Sequence, residues 1–255
     1  VAERVGSQAR PRGRHALRSR AFANELVRDA GVAPGTLVLD LGAGSGVLTR
    51  ALAAAGARVR AIELDAAALR QLEARFGSDT RVEVVQGDAT TVPLPDEPFA
   101  VVANLPFAAG TAILRRLLGD PAARPSQLDA IVEWGLAAKR TAVWPSTLLG
   151  CIWGARYELS LARRVSRACF APRPSVDAAV LRATRRPEPL VAPAESAAYE
   201  ALLRRAFADQ AQLDRILPRR LVHRTANELG FDPRARARDL DVRQWARLYA
   251  AVRRV

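Results

Sequence analysis

From residue 22 onward two rhythms alternate along the chain. Short runs of apolar residues with no polar face give way to stretches where apolar positions recur every three or four residues. A run apolar on both faces predicts a buried parallel strand, and the longer period predicts a helix packed on one side. The pattern predicts a helix over 22–30, a strand over 36–40, a helix over 47–55 and a strand over 58–63. A helix over 65–76 follows, with Asp65 as N-cap. Strands over 81–86 and 99–103, a helix over 111–118 and a strand over 128–134 come next, then a helical stretch through Lys139 and Arg140. Repeated strand–helix units predict an α/β fold, a doubly wound sheet with helices on both faces.

Near residue 157 the rhythm changes. Segments 157–165 and 176–182 are strand-like, and the loop between them contains prolines and leaves no room for a helix. They are expected to pair as an antiparallel hairpin. Pro187, Pro189 and Pro193 mark 185–195 as a linker. Beyond it the period is helical over 199–207, 214–229 and 243–253, with Asp241 as cap of the last helix. The expected organisation is a tail over 1–20, an α/β domain over 21–185 and a small all-helical C-terminal domain over 196–255.

Charge adds the first hint of a partner. The 255 residues carry 39 basic and 26 acidic side chains, a net charge of +13. That excess favours a polyanion such as nucleic acid. Lys139 is the single lysine, so part of the bias reflects composition, but the surplus over acids remains. The first twenty residues hold Arg4, Arg10, Arg12, Arg14, Arg18 and Arg20 against Glu3. Such a tail commonly orders on RNA. Further arginines, at 163–167, 182–186, 219, 220 and 224, and the Lys139–Arg140 pair together predict an RNA-facing surface. Two cysteines and two histidines show no metal-ligand spacing, so no metal is expected. No run suits a bilayer span or a signal peptide, which leads to the expectation of a cytoplasmic chain without membrane contact.

Candidate chemistry gathers at predicted strand ends. Asp40-Leu-Gly42-Ala-Gly44-Ser-Gly46 lies between a strand and a helix. Glycine there permits a tight turn and lets a nucleotide-like ligand approach the backbone. The dinucleotide spacing G-x-G-x-x-G would need glycine at 47, which is Val47, so a ligand without a pyrophosphate fits better. Glu63 closes the next strand, where a carboxylate can accept from both ribose hydroxyls. Asp88 follows the third, where it can accept from an adenine amine. Asn104-Leu105-Pro106-Phe107 follows the fourth. An exocyclic adenine amine is a poor nucleophile because its lone pair is delocalised into the ring. Two acceptors holding its N–H groups, the Asn104 amide and a backbone carbonyl at Leu105 or Pro106, would localise that pair. Phe107 would stack on the extruded base.

This set resembles the rRNA adenine-N6 methyltransferases, both the Erm-type macrolide-resistance enzymes and the small-subunit rRNA dimethyladenosine transferases. Phe170-Ala-Pro172-Arg-Pro174-Ser-Val176-Asp177 resembles a further motif of that family, a loop beside the target base. The resemblance implies a Rossmann-like S-adenosylmethionine-dependent methyltransferase sheet. It implies S-adenosyl-L-methionine as cofactor, held by His15, Leu17, Gly42, Gly44, Glu63, Leu64, Asp88, Ala89 and Asn104. Asn104, Pro106, Phe107 and Phe170 are implied around the adenine. Where the family usually has Gln-Asn-Phe-Leu, this chain has Arg14-His15-Ala16-Leu17, so an imidazole stands in the place of an amide and the aromatic is missing. Phe107-Ala-Ala-Gly-Thr111 is closer to the Erm type, which implies an adenine of 23S rRNA in the peptidyl-transferase loop, macrolide-type resistance and a monomeric enzyme. Four alternatives stay open: a nicotinamide enzyme on the same fold, disfavoured by the glycine spacing and the lack of a hydride-transfer partner, a small-subunit rRNA adenine dimethyltransferase, a non-catalytic rRNA-binding assembly factor, and a DNA adenine methyltransferase. The last is disfavoured by Leu105 where such enzymes carry proline.

Overall fold

The computed structural model describes residues 15–254 except 121, 122, 124 and 210. The tail before residue 15 therefore lies outside the described residues. A two-residue strand β1 (Ala16–Leu17) leads into α1 (Arg20–Asp29), then β2 (Leu37–Leu41), α2 (Val47–Ala54) and β3 (Arg58–Glu63). Next come α3 (Ala66–Phe76), β4 (Val82–Gln86) and β5 (Phe99–Asn104). Helix α4 (Gly110–Leu114) runs into a π-helical turn over Arg115–Gly119, followed by β6 (Pro125–Glu133), α5 (Trp134–Thr141) and α6 (Leu148–Gly154). The sheet is completed by β7 (Tyr157–Val165) and β9 (Ala178–Arg185), with the short β8 (Phe170–Ala171) in the loop between them. The remainder is helical: α7 (Ser196–Asp209), α8 (Leu213–Ile216), α9 (Arg219–Leu229) and α10 (Val242–Val252).

Seven strands form one sheet in the order β4-β3-β2-β5-β6-β9-β7. The first five run parallel, and β9 is antiparallel to both β6 and β7. Strand order reverses at β2, which lies between β3 and β5. The helices leaving β2 and β5 therefore depart to opposite faces, and a crevice opens beyond the carboxyl ends of these two strands. Both the glycine loop and the Asn-Leu-Pro-Phe segment begin there.

Every residue of β2 is buried. Leu37, Leu39 and Leu41 join the core on one face, and Val38 joins α1 and α2 on the other, the two-residue period of a doubly covered strand. Asp65 caps α3 by accepting from the N–H groups of Ala67 and Ala68, as the sequence predicts, worth about 1 kcal/mol. Asp241 caps α10 in the same way, with Gln244 completing a capping box.

Three features differ from the sequence expectation. Residues 16–20 do not trail: β1 pairs antiparallel with β8, Ala16 opposite Ala171 and Leu17 opposite Phe170, and α1 already starts at Arg20 behind an N-cap at Ser19. Helix α6 has no counterpart in the sequence pattern, because its sequence, Leu-Leu-Gly-Cys-Ile-Trp-Gly, has no polar face and hence no helical period. It is covered on several sides. The C-terminal helices pack directly on it, and one continuous cluster runs from Leu128 of the sheet through Trp153 to Tyr199, Trp245 and Leu248. The 185–195 segment is stitched to the body as well, with Leu190 N–H donating to Ala155 O and Val191 buried. Among the described residues no helix is long and apolar enough to cross a membrane.

Candidate functional site

Gly42, Gly44 and Gly46 all have positive φ, +74°, +55° and +74°. Two of them face constraints that explain the residue type. A Cβ on Gly42 would meet Pro106 Cδ at 3.3 Å, and one on Gly46 would meet Phe76 at 2.6 Å. The loop is thus pressed against the Asn-Leu-Pro corner on one side and against α3 on the other, and only glycine fits both the space and the backbone. Glu63 braces the loop from β3: Oε2 accepts from Gly44 N–H at 2.8 Å and Oε1 from Asp65 N–H at 2.8 Å. Beneath the loop, Asp40 is buried and accepts from Thr49 Oγ1 at 2.7 Å. Burial raises its pKa to about 7, against the lowering effect of the Thr49 bonds.

Asn104 ends β5 beside Ile131 of β6, and the next residue locks the turn as Leu105 N–H donates to Ile131 O at 3.1 Å. The Asn104 amide nitrogen donates to the backbone carbonyl of His15 at 2.8 Å. Its Oδ1 is buried and has no hydrogen-bond partner. A buried acceptor left bare costs free energy, on the order of 1–3 kcal/mol, so this atom is built for something other than the fold. A small cleft opens at this point, lined by Ala16, Leu17, Asp40, Gly42, Gly44, Ser45 and Asn104.

Phe107 lies next to it, half-buried, with His15 at 5.3 Å and Phe170 at 6.3 Å between ring centroids. Phe170 meets it edge-on at 71° and is itself only 3% exposed, so it presents no open face. It stands beneath Phe107 because β8 is clamped by β1. His15 Nδ1 lies 3.0 Å from Pro172 O, which ties the same loop to the start of the chain.

Of the residues singled out in the sequence, Leu17, Gly42, Gly44 and Asn104 line one cleft. His15 adjoins it through its carbonyl, and Glu63 through Gly44. Leu64 stands 54% exposed at the end of β3, a bare apolar side chain where a flat ring could rest. Asp88 is exposed, and its Oδ1 is occupied by Thr90 N–H and Oγ1, bonds that lower its pKa. Asp88 and Ala89 follow β4, farther along the same rim.

The sequence profile described as ribosomal RNA adenine dimethylase matches residues 7–253. The chain belongs to that family. Mycinamicin-resistance protein MyrB of Micromonospora griseorubida is 37% identical over 86% of this chain and 70% of its own length. A ribosomal RNA small subunit methyltransferase A from a Synechococcus strain is 33% identical over 92% of this chain and 89% of its own. The solved structure of the 23S rRNA methyltransferase ErmE superposes with a TM-score of 0.82 at 30% identity, covering 93% of this chain and 99% of that one. The chain is accordingly an rRNA adenine-N6 methyltransferase of the Erm and dimethyladenosine-transferase type.

In this family member several arginines expected to face RNA serve the fold instead. Arg182 pairs with the fully buried Asp129 at 2.7 Å and donates to Asp29 O. Arg163 pairs with Glu25 and Asp29 and covers the Phe22 ring. Arg186 donates to Gly154 O, and Arg140 lies over Trp153. Charge alone could not separate these from solvent-facing arginines, because the acids that hold Arg163 and Arg182 lie far away in sequence. What sequence reasoning missed at the site is Asp40, hidden inside the glycine motif as its leading acid. Only burial marks it.

Proposed function

We propose that the chain transfers a methyl group from S-adenosyl-L-methionine to the N6 amine of an adenine in 23S rRNA and so confers macrolide-type resistance. The observation that carries this is the buried, partnerless Oδ1 of Asn104, set between the glycine loop and Phe107. The donor set also suits this cofactor. Glycines let its backbone-hugging part approach, Glu63 and Asp88 offer carboxylates, Leu64 offers an apolar face, and Leu17, Ala89 and His15 flank it.

When bound, S-adenosyl-L-methionine supplies a methyl group activated on a sulfonium. The protein supplies orientation. Asn104 Oδ1 accepts one N–H of the adenine amine, and a backbone carbonyl accepts the other. Leu105 is the better candidate for that carbonyl, since Pro106 O already accepts from Ala109 N–H at 2.9 Å. Held at both N–H groups, the amine lone pair is drawn out of conjugation and aimed. Phe107 stacks on the base, and Phe170 and His15 hold Phe107 at the angle this needs. A neutral amide suits the step, because the amine sheds its proton after transfer and needs no strong base.

The choice of 23S over small-subunit rRNA rests on Phe107-Ala-Ala-Gly-Thr111 and on the likeness to MyrB and ErmE. Expression in a macrolide-sensitive bacterium tests it. Primer extension and nucleoside mass mapping are expected to show N6-methylated adenine in the peptidyl-transferase loop, together with resistance. Modification confined to small-subunit rRNA would replace this reading with the dimethyladenosine-transferase one.

A further inference from the structure

The loop between β7 and β9 forms a second cleft, beside the adenine site and distinct from the glycine-loop crevice. It has a volume of about 700 Å³ and is lined by Arg164, Ser166, Arg167, Arg173 and Asp177, with Val165 and Pro174 as its apolar lining. Two guanidinium groups meet one carboxylate there, and a third lines the same cleft. Arg164 and Arg167 both pair with Asp177, while Arg173 is exposed and has no partner among the described residues. Like charges this close repel, and an anion in the cleft relieves that cost.

An aromatic ring stands at its edge. Trp134 opens α5 directly after β6 and is 38% exposed. Arg164 lies 5.5 Å above its ring, and the backbone N–H of Trp134 donates to the backbone carbonyl of Asp177 at 2.8 Å. Val176, 45% exposed, extends the apolar edge. The same loop carries Phe170, whose ring touches Phe107. A flat apolar surface beside a cluster of arginines is the chemistry that holds a single-stranded nucleotide: the base stacks and the phosphate is caught bidentately.

We propose that this cleft clamps the nucleotide neighbouring the extruded adenine, with Arg173 and Arg167 on its phosphate and Trp134 beneath its base. The clamp rests on the reading of RNA as substrate and adds where the strand is gripped. It also offsets the cost of unstacking, because a base leaves the helix more readily when its neighbour's backbone is held.

The test uses whichever stem-loop, from 23S or small-subunit rRNA, the wild-type chain methylates. Binding of this RNA is measured against salt for wild type, Arg173→Ala, Arg173→Lys and Trp134→Ala. Arg70→Ala, on α3 at the opposite edge of the sheet, is the charge-removal control. Arg173→Ala is expected to weaken binding about tenfold and to lower the salt slope by ~0.7–0.9, one phosphate's share. Arg173→Lys should restore the slope, Trp134→Ala should weaken binding while keeping it, and Arg70→Ala should change neither. In addition, an uncharged methylphosphonate at one linkage beside the target adenine should weaken wild type but not weaken Arg173→Ala further. If Arg173→Ala binds with the wild-type affinity and slope, or if its loss simply adds to that of every methylphosphonate, the clamp is wrong while the substrate reading stands. If the wild-type chain methylates neither stem-loop, the substrate reading fails and takes the clamp with it.

Discussion

The side-chain amide of Asn104 donates to the backbone carbonyl of His15 at 2.8 Å, across 89 positions of sequence. A carbonyl can only accept, so the nitrogen must face it and the oxygen must face the cleft. The backbone at His15 thereby decides which end of the amide faces the cleft.

Asn104→Ala is therefore expected to abolish transfer, by at least about 10²–10³-fold, the usual loss for one aimed polar group. Cofactor affinity should fall only a few-fold by calorimetry. Asn104→Asp should be nearly as damaging, because a carboxylate would face the His15 carbonyl without a proton to donate.

Phe107→Ala should lower kcat/KM strongly, since stacking on one base is worth about 1–3 kcal/mol. Phe107→Tyr should retain most activity, because the ring and its edge contact with Phe170 persist. Steady-state methylation of an rRNA fragment reads both.

His15→Asn should stay active and His15→Ala should lose about tenfold. Either side chain of the first pair can donate toward Pro172 O, which lies 3.0 Å from the imidazole, and so hold the loop that carries Phe170. The backbone carbonyl that orients Asn104 survives in both variants, so the deficit should fall short of that of Asn104→Ala.

Arg182→Ala should act on stability rather than on RNA affinity. Removing it leaves the fully buried Asp129 carboxylate with Gln127 as its remaining partner, a loss of about 3–5 kcal/mol. Urea melts and RNA titrations on the same preparation separate the two roles.

Asp40 predicts a pH signature. Its folded pKa, about 7, lies above the unfolded value near 3.8, so the folded state binds more protons between those limits. Stability from this group is full below pH 4, declines as pH rises from about 4 to 7, and levels off above that. Asp40→Asn keeps an acceptor for Thr49 and should flatten this slope in melts taken across the same range.

That the glycine loop and Asn104 meet at one cleft was legible because the signals are local. Each motif is a strand end followed by a turn, and a reversal of strand order brings the ends of β2 and β5 together in any sheet of this kind. The strap was not legible: β1 and β8 are two residues each, too short for a period, and meet only because the loop after β7 folds back. Nor were the arginine roles, since Arg163, Arg164 and Arg182 find Glu25, Asp177 and Asp129 through packing that no spacing reveals. The C-terminal helices were legible as helices, yet their shared core with α6 was not, because an all-apolar segment announces burial without naming its partner.

The most direct measurement supplies the purified chain with S-adenosylmethionine labelled in its methyl group and with 23S and small-subunit rRNA fragments, then digests the RNA to nucleosides. Label is expected in N6-methylated adenosine from the 23S fragment, and absent when Asn104 is replaced by alanine. Label on a ring carbon or another base, or undiminished transfer by the Asn104 variant, would contradict the role assigned to that corner.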